Sequence, residues 1–143
     1  MASVIPKTYR KEITDALETE TLWVALFKNT LVYNPTNTGH KTYTQIVAAF
    51  PGSESTGTGY TVGGKALGGT NSGYLGASNI VVLTVDVNTT WTITTALTAR
   101  YAVIYEFTSK NIRAVVDLGG DKTVTSGTFT ITWDAVSGLI KVA

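Results

Sequence analysis

Thr128-Phe129-Thr130-Ile131-Thr132-Trp133-Asp134 alternates a large apolar side chain with threonine or aspartate at every step. Successive side chains of an extended strand point to opposite faces, so this period of two predicts a half-buried β-strand with Phe129, Ile131 and Trp133 on its covered side. Ser126-Gly127 makes the turn before it, and Ser137-Gly138 leads into a last apolar run, Leu139-Ile140-Lys141-Val142. The same alternation recurs upstream. Residues 80–87 put Val81, Leu83, Val85 and Val87 on one face before a turn at Asn88-Thr89, and Trp91, Ile93 and Thr95 alternate with Thr92 and Thr94. Residues 99–107 are apolar on both faces, which predicts a central strand, and residues 112–118 predict a further one ended by Gly119-Gly120.

Nearer the N-terminus the period changes. Ile5, Tyr9, Ile13, Ala16 and Leu17 recur at steps of three and four, with Lys7, Arg10, Lys11, Glu12 and Asp15 opposite. This predicts one short amphipathic helix at 6–17, in a helical segment 1–18, lying on the β body or on a neighbouring subunit. Leu22-Trp23-Val24-Ala25-Leu26-Phe27 then predicts a strand buried on both faces. Leu31-Val32-Tyr33 is a candidate to pair back on it, and Tyr43, Ile46, Val47 and Phe50 allow a single helical turn. The region 51–79 holds nine of the fourteen glycines and reads as a long loop system with one strand near 60–67. Ordering so much glycine is entropically costly, which makes this loop a place to expect contacts with a partner.

Composition agrees with the strand pattern. The 143 residues include 26 threonines, whose β-branched side chains fit a pleated surface, and only 15% are charged. The expected fold is therefore mainly β: one domain, 1–143, forming an antiparallel two-sheet β-sandwich, jelly-roll or immunoglobulin-like, with one short N-terminal helix. A net charge of +1 argues against nucleic acid or an anionic membrane surface as a partner. No apolar run is long enough for a secretory signal or a membrane-spanning helix, and the absence of cysteine removes thiol chemistry, disulfides and zinc–thiolate sites.

Catalytic motifs fare poorly. Gly59-x-x-x-x-Gly64-Lys65 has the spacing of a phosphate-binding loop, but Ala66 stands where the magnesium-binding hydroxyl belongs, and the glycine-rich sequence after it cannot form the required helix. His40, the sole histidine, reads as an exposed loop residue. Asp86, Glu106, Asp117, Asp121 and Asp134 read as single solvated charges, and no serine lies in a nucleophile-elbow motif. Trp23, Trp91 and Trp133 lie in phase with apolar neighbours and read as core before they read as sugar platforms. No enzymatic activity, catalytic residue, cofactor or metal site is expected. Tyr9, Ile13, Tyr60 and Tyr74, aromatic or apolar residues in otherwise polar segments, are the candidate interface residues.

Several stretches together resemble small virion structural proteins of tailed bacteriophages. These are Ile5-Pro6-x-x-Tyr9, residues 19–27 from Thr19 to Phe27, residues 57–67 from Gly57 to Leu67, Thr98-Ala99-Arg100-Tyr101-Ala102-Val103-Ile104-Tyr105, residues 116–122, residues 124–135, and Gly138-Leu139-Ile140. The resemblance implies a head decoration or cement protein without catalysis, bound to the major capsid protein, with tail or fibre as the other location and host glycans as a contact there. It also implies a location in the virion, assembled in the bacterial host cytoplasm. A particle protein gains binding energy from symmetric copies engaging together, so a homo-oligomer, trimer or dimer, is expected.

Overall fold

The computed structural model describes residues 6–76 and 80–142 of the chain. It is mainly β, 42% strand and 16% helix, with antiparallel sheets and two helices. Contacts divide the chain into two units. One comprises the N-terminal segment to Glu20, Leu67–Thr89 and the segment from Ile131; the other comprises Thr21–Ala66 and Thr90–Thr130.

The second unit is built on the apolar run Leu22–Phe27, strand β1, of which every residue but Trp23 is buried. β1 pairs antiparallel with β6, Leu97–Glu106, through all six of its residues, from Leu22 opposite Glu106 to Phe27 opposite Tyr101. The short strand β2, Lys65–Ala66, and the long strand β7, Ile112–Val124, complete a four-stranded sheet in the order β2-β1-β6-β7. The expected central position of residues 99–107 is thus met. Helix α2, Tyr43–Ala49, covers the face that carries Ala25, Phe27, Val103 and Tyr105, with Leu31 and Ile46 filling the space between. A separate two-stranded sheet joins β5, Thr89–Ile93, to β8, Gly127–Ile131. Inside this unit Trp91 packs between Tyr60 and Phe129.

The first unit is a three-stranded antiparallel sheet, β3-β4-β9, from Thr70–Tyr74, Val81–Val85 and Ile140–Val142. Helix α1, Lys7–Glu18, packs on β3 and β4. Trp133 is anchored here: its indole N–H donates to the Thr89 hydroxyl at 2.9 Å.

Several local expectations need correction. Residues 31–33 form no strand; Leu31 is buried under α2, whereas Val32 is exposed. Residues 43–49 make a seven-residue helix where one turn was expected, because Thr42 and Gln45 form a reciprocal capping box that satisfies its first amides. The strand expected near 60–67 shrinks to β2, and glycine-containing β3 forms beyond it, paired along its whole length with β4. Val87 is exposed and off the covered face of β4. Gly119-Gly120 does not end β7. Both take positive φ, 76° and 140°, and the ladder resumes beyond them after a bulge that sets Arg100 of β6 against residues 118–121. Ile5 and residues 77–79, named in the sequence reading, lie outside the described residues.

Candidate functional site

Helix α1 carries apolar residues on one side and charged residues on the other. Its apolar stripe was expected to lie on the β body or on a neighbouring subunit, and within this chain Tyr9, Ile13 and Ala16 are left exposed. Thr14 is fully buried, and Lys11, Asp15 and Glu18 share its side. The Lys11 ammonium and the Ser72 hydroxyl both reach the Asp15 carboxylate, Lys11 also donates to Ser72 Oγ at 2.8 Å, and the Ser72 amide donates to Glu18 at 3.0 Å. These contacts hold the Asp15 carboxyl below its ordinary range, chiefly through Lys11. On its β3 side, Thr-Asn-Ser-Gly-Tyr, the sheet presents hydroxyls and amides that engage the charges of α1. Tyr9 is 54% exposed and Ile13 37%. Tyr74, at the end of β3 and within electrostatic reach of Lys11, is 44% exposed. Three of the four candidate interface residues therefore present surface.

The fourth does not. Tyr60 is buried, and its hydroxyl accepts from the Leu26 amide at 2.9 Å while donating to Glu54 at 2.9 Å. Glu54 is only 7% exposed and was not singled out in the sequence. Its carboxylate also accepts from the Tyr43 hydroxyl at 2.6 Å and the Gly63 amide at 2.6 Å, and Tyr105 donates to the Gly63 carbonyl at 2.8 Å. The rings of Tyr43 and Tyr105 stack at 4.7 Å. Burial, reinforced by the carboxylate, raises the pKa of Tyr43 and Tyr60 well above the ordinary tyrosine range and pushes Tyr105 up to about 12. The free edge of β1 beyond β2 is closed by the same segment. Lys28 N–H donates to Ser53 and Ser55 N–H donates to Leu26, each at 2.8 Å, around a bridge between Phe27 and Glu54. This part of the glycine-rich region is thus ordered by its own unit, and the expectation that a partner orders it is not needed for residues 53–64.

The phosphate-loop spacing has another explanation in the same place. A side chain on Gly64, at φ 78°, would come within 1.7 Å of the Val24 carbonyl, so glycine is required for close backbone approach. Glu54 occupies the Gly63 amide and Thr61 the Gly64 amide, while Lys65 donates to the Thr90 carbonyl at 2.7 Å and lies 5.7 Å from the Trp91 ring centre.

His40 is corrected from exposed to buried. It ends a 3-10 turn, Thr38–His40, packs edge-on to Phe50, and accepts at Nδ1 from the Asn34 amide at 3.0 Å. The carboxylates read as isolated charges each engage near neighbours. Asp117 pairs with Arg100 at 2.8 Å, Asp121 accepts from Asn29 at 2.9 Å, Asp86 accepts from Asn71, and Asp134 accepts from the amides of Val136 and Ser137. Glu106 accepts from the Thr108 and Ser109 amides, which lower its pKa to about 2, Ser109 contributing most. Among the described residues no cluster of His, Asp and Glu is close enough to hold a metal ion.

A last surface feature is a shallow groove of about 570 Å³ in the second unit, lined by Asn29, Leu31, Tyr33, Tyr101, Val115 and Asp117 among others. It lies over β6 and β7, where Tyr101 faces Asp117 across the ladder. No family model matches this chain, and no curated protein or solved structure matches it.

Proposed function

We propose that the protein is a bacteriophage virion structural component that decorates and cements the head shell by adhesion, without catalysis. Two lines support the reading: the resemblance carried by Ile5-Pro6-x-x-Tyr9 and residues 19–27, 57–67, 98–105, 116–122, 124–135 and 138–140, and the chemistry of α1. The observation that carries it is the outward stripe of Tyr9 and Ile13, exposed while Lys11, Asp15 and Glu18 on the other side engage Ser72. Such a face loses free energy to water until another protein covers it. In this reading the partners are the major capsid protein and sister copies in a homo-oligomer. The strand-built body, in the two-sheet sandwich expected from the sequence, supplies a rigid support, and affinity comes from several modest contacts engaged together.

The test is copy number and heat stability of the particle. The reading expects hundreds of copies per virion and heads that lose contents at a lower temperature when the protein is omitted. A protein absent from virions, or one that turns over a substrate, overturns it. The groove beside Tyr33 and Tyr101 favours a second reading, a tail or fibre protein that contacts host glycans, because aromatic rings beside Asn29 and Asp117 suit sugar stacking and hydroxyl pairing. About a dozen copies per virion, with heads unchanged and adsorption lost on omission, would support that reading instead.

A further inference from the structure

A second concavity in the unit built on β1 differs in chemistry from the groove beside Tyr101. It is a pocket of about 360 Å³, lined by Tyr33, His40, Lys41, Asn111 and Arg113 among others and by no carboxylate. Its walls are fixed to one another by backbone contacts. The His40 amide donates to the Asn37 carbonyl at 3.0 Å, the Ile112 amide to the Lys41 carbonyl at 2.9 Å, and the Tyr43 amide to the Lys110 carbonyl at 2.8 Å. His40 is only 8% exposed, and its Nδ1 accepts from the Asn34 amide. An N–H donates only to an unprotonated ring nitrogen, so the neutral imidazole carries its proton on Nε2. That N–H is the one polar group of a nearly buried side chain without a partner among the described residues. Beside it, the Lys41 ammonium forms no ion pair among the described residues, and the Asn111 side-chain amide adds further N–H donors. Arg113 makes contacts of its own and is not counted among these donors. A preformed pocket that offers donors and a positive charge, and no negative charge, suits a ligand that brings acceptors and negative charge.

We propose that this pocket binds a compact oxyanion, a carboxylate or a phosphate, with His40 Nε2–H and the Lys41 ammonium as its donors. An oxyanion accepts at each oxygen and needs no acceptor from the protein, which matches a lining without carboxylates. A nearly buried N–H is costly to leave unpaired, so the ligand contributes most at Nε2, while Lys41 supplies the charge. One lysine and a few neutral donors beside water set a dissociation constant on the order of 1 mM. The inference goes beyond the proposed function and does not depend on it, because the donors are set by residues 34–41 and 111 whatever the protein is part of.

Because His40 is the sole histidine, its imidazole signals in an NMR spectrum of the full chain report the pocket without overlap. The ligand-free protein is expected to show the Nε2–H tautomer in its nitrogen shifts. Inorganic phosphate and glucuronate are then titrated in parallel, with chloride withdrawn so that ionic strength stays constant. The expected result is a saturating shift of the His40 signals with at least one of them, and the tighter of the two identifies a phosphate or a carboxylate as the source of the oxyanion. Lys41→Gln is expected to weaken binding at least about tenfold, and Lys41→Arg to retain it. Lys41 is exposed and its backbone contacts persist in both variants, so their melting temperatures stay at the wild-type value. Lys122 is also exposed but lies outside the pocket, and Lys122→Gln leaves the affinity unchanged. Four results overturn the proposal: no saturable shift with either anion up to about 50 mM, binding unaffected by Lys41→Gln, an equal loss in Lys122→Gln, or a ligand-free protein in the Nδ1–H tautomer.

Discussion

Glu54 ties Tyr43, Tyr60 and Gly63 of the second unit together. A buried carboxylate is costly unless its lone pairs are used, and here two tyrosine hydroxyls and one amide use them. Glu54→Ala leaves those donors without an acceptor and is expected to cost about 3 kcal/mol in denaturant unfolding; Glu54→Gln, which keeps the volume but turns a donor toward donors, is expected to cost about 2 kcal/mol. Tyr60→Phe removes the partner of the Leu26 amide and should cost a similar amount. The tyrosines also set the response to alkali. Their folded-state pKa values lie above the ordinary 10.0, with Tyr105 at about 12, so the folded state holds these protons more tightly than the unfolded chain. Stability from this source is fully present below pH 10 and falls as pH rises from 10 through 12. A spectrophotometric titration should show three of the seven tyrosines ionising only as the protein unfolds. Simultaneous titration of all seven near pH 10 with the fold intact would contradict the cluster.

At the scale of elements, β7 and α1 show how local pattern and context divide the work. β7 passes through Gly119-Gly120 because both glycines adopt φ values that other residues reach only with strain, and a side chain at either would meet open space. The cost of Gly120→Val therefore measures backbone conformation alone. About 1–3 kcal/mol is expected, read as a lowered unfolding midpoint, and a neutral result would mean that the bulge is not fixed there. In α2 the Thr42-x-x-Gln45 capping box, a local signature already present in the sequence, carries the helix beyond the single turn its apolar spacing suggests. In α1 the amphipathic period was legible and its direction was not. The stripe of Tyr9, Ile13 and Ala16 says that one face differs from the other; which face went inward shows only in the contacts of Lys11, Asp15 and Glu18 with Ser72 of β3.

Over the whole molecule, eleven basic and ten acidic residues leave a net charge of +1, and the ion pairs Lys11–Asp15 and Arg100–Asp117 bring opposite charges together locally. With a net charge of only +1 little counterion release is expected to drive binding to a polyanion, so the protein should not shift duplex DNA in a mobility assay at physiological salt; a clear shift would point away from a purely adhesive role. The antiparallel strands were legible almost one by one, because the direction of successive side chains is a property of the backbone of each strand: β1, β4, β6 and β8 all sit within a few residues of the alternating or continuous apolar runs that announced them. The Glu54 cluster was not legible, since residues 43, 54, 60, 63 and 105 follow no common period and meet only when β1, α2 and the glycine-rich loop converge. The buried position of His40 was hidden for the same reason: its polar neighbours describe its loop, while its environment is set by Phe50 and Asn34. What the chain alone determined was local, the period of each segment and the overall β character, because short-range sterics dictate them. Which faces are covered, which polar groups are buried and which apolar stripe stays exposed were decided by tertiary structure, because burial depends on what a distant segment brings to the contact.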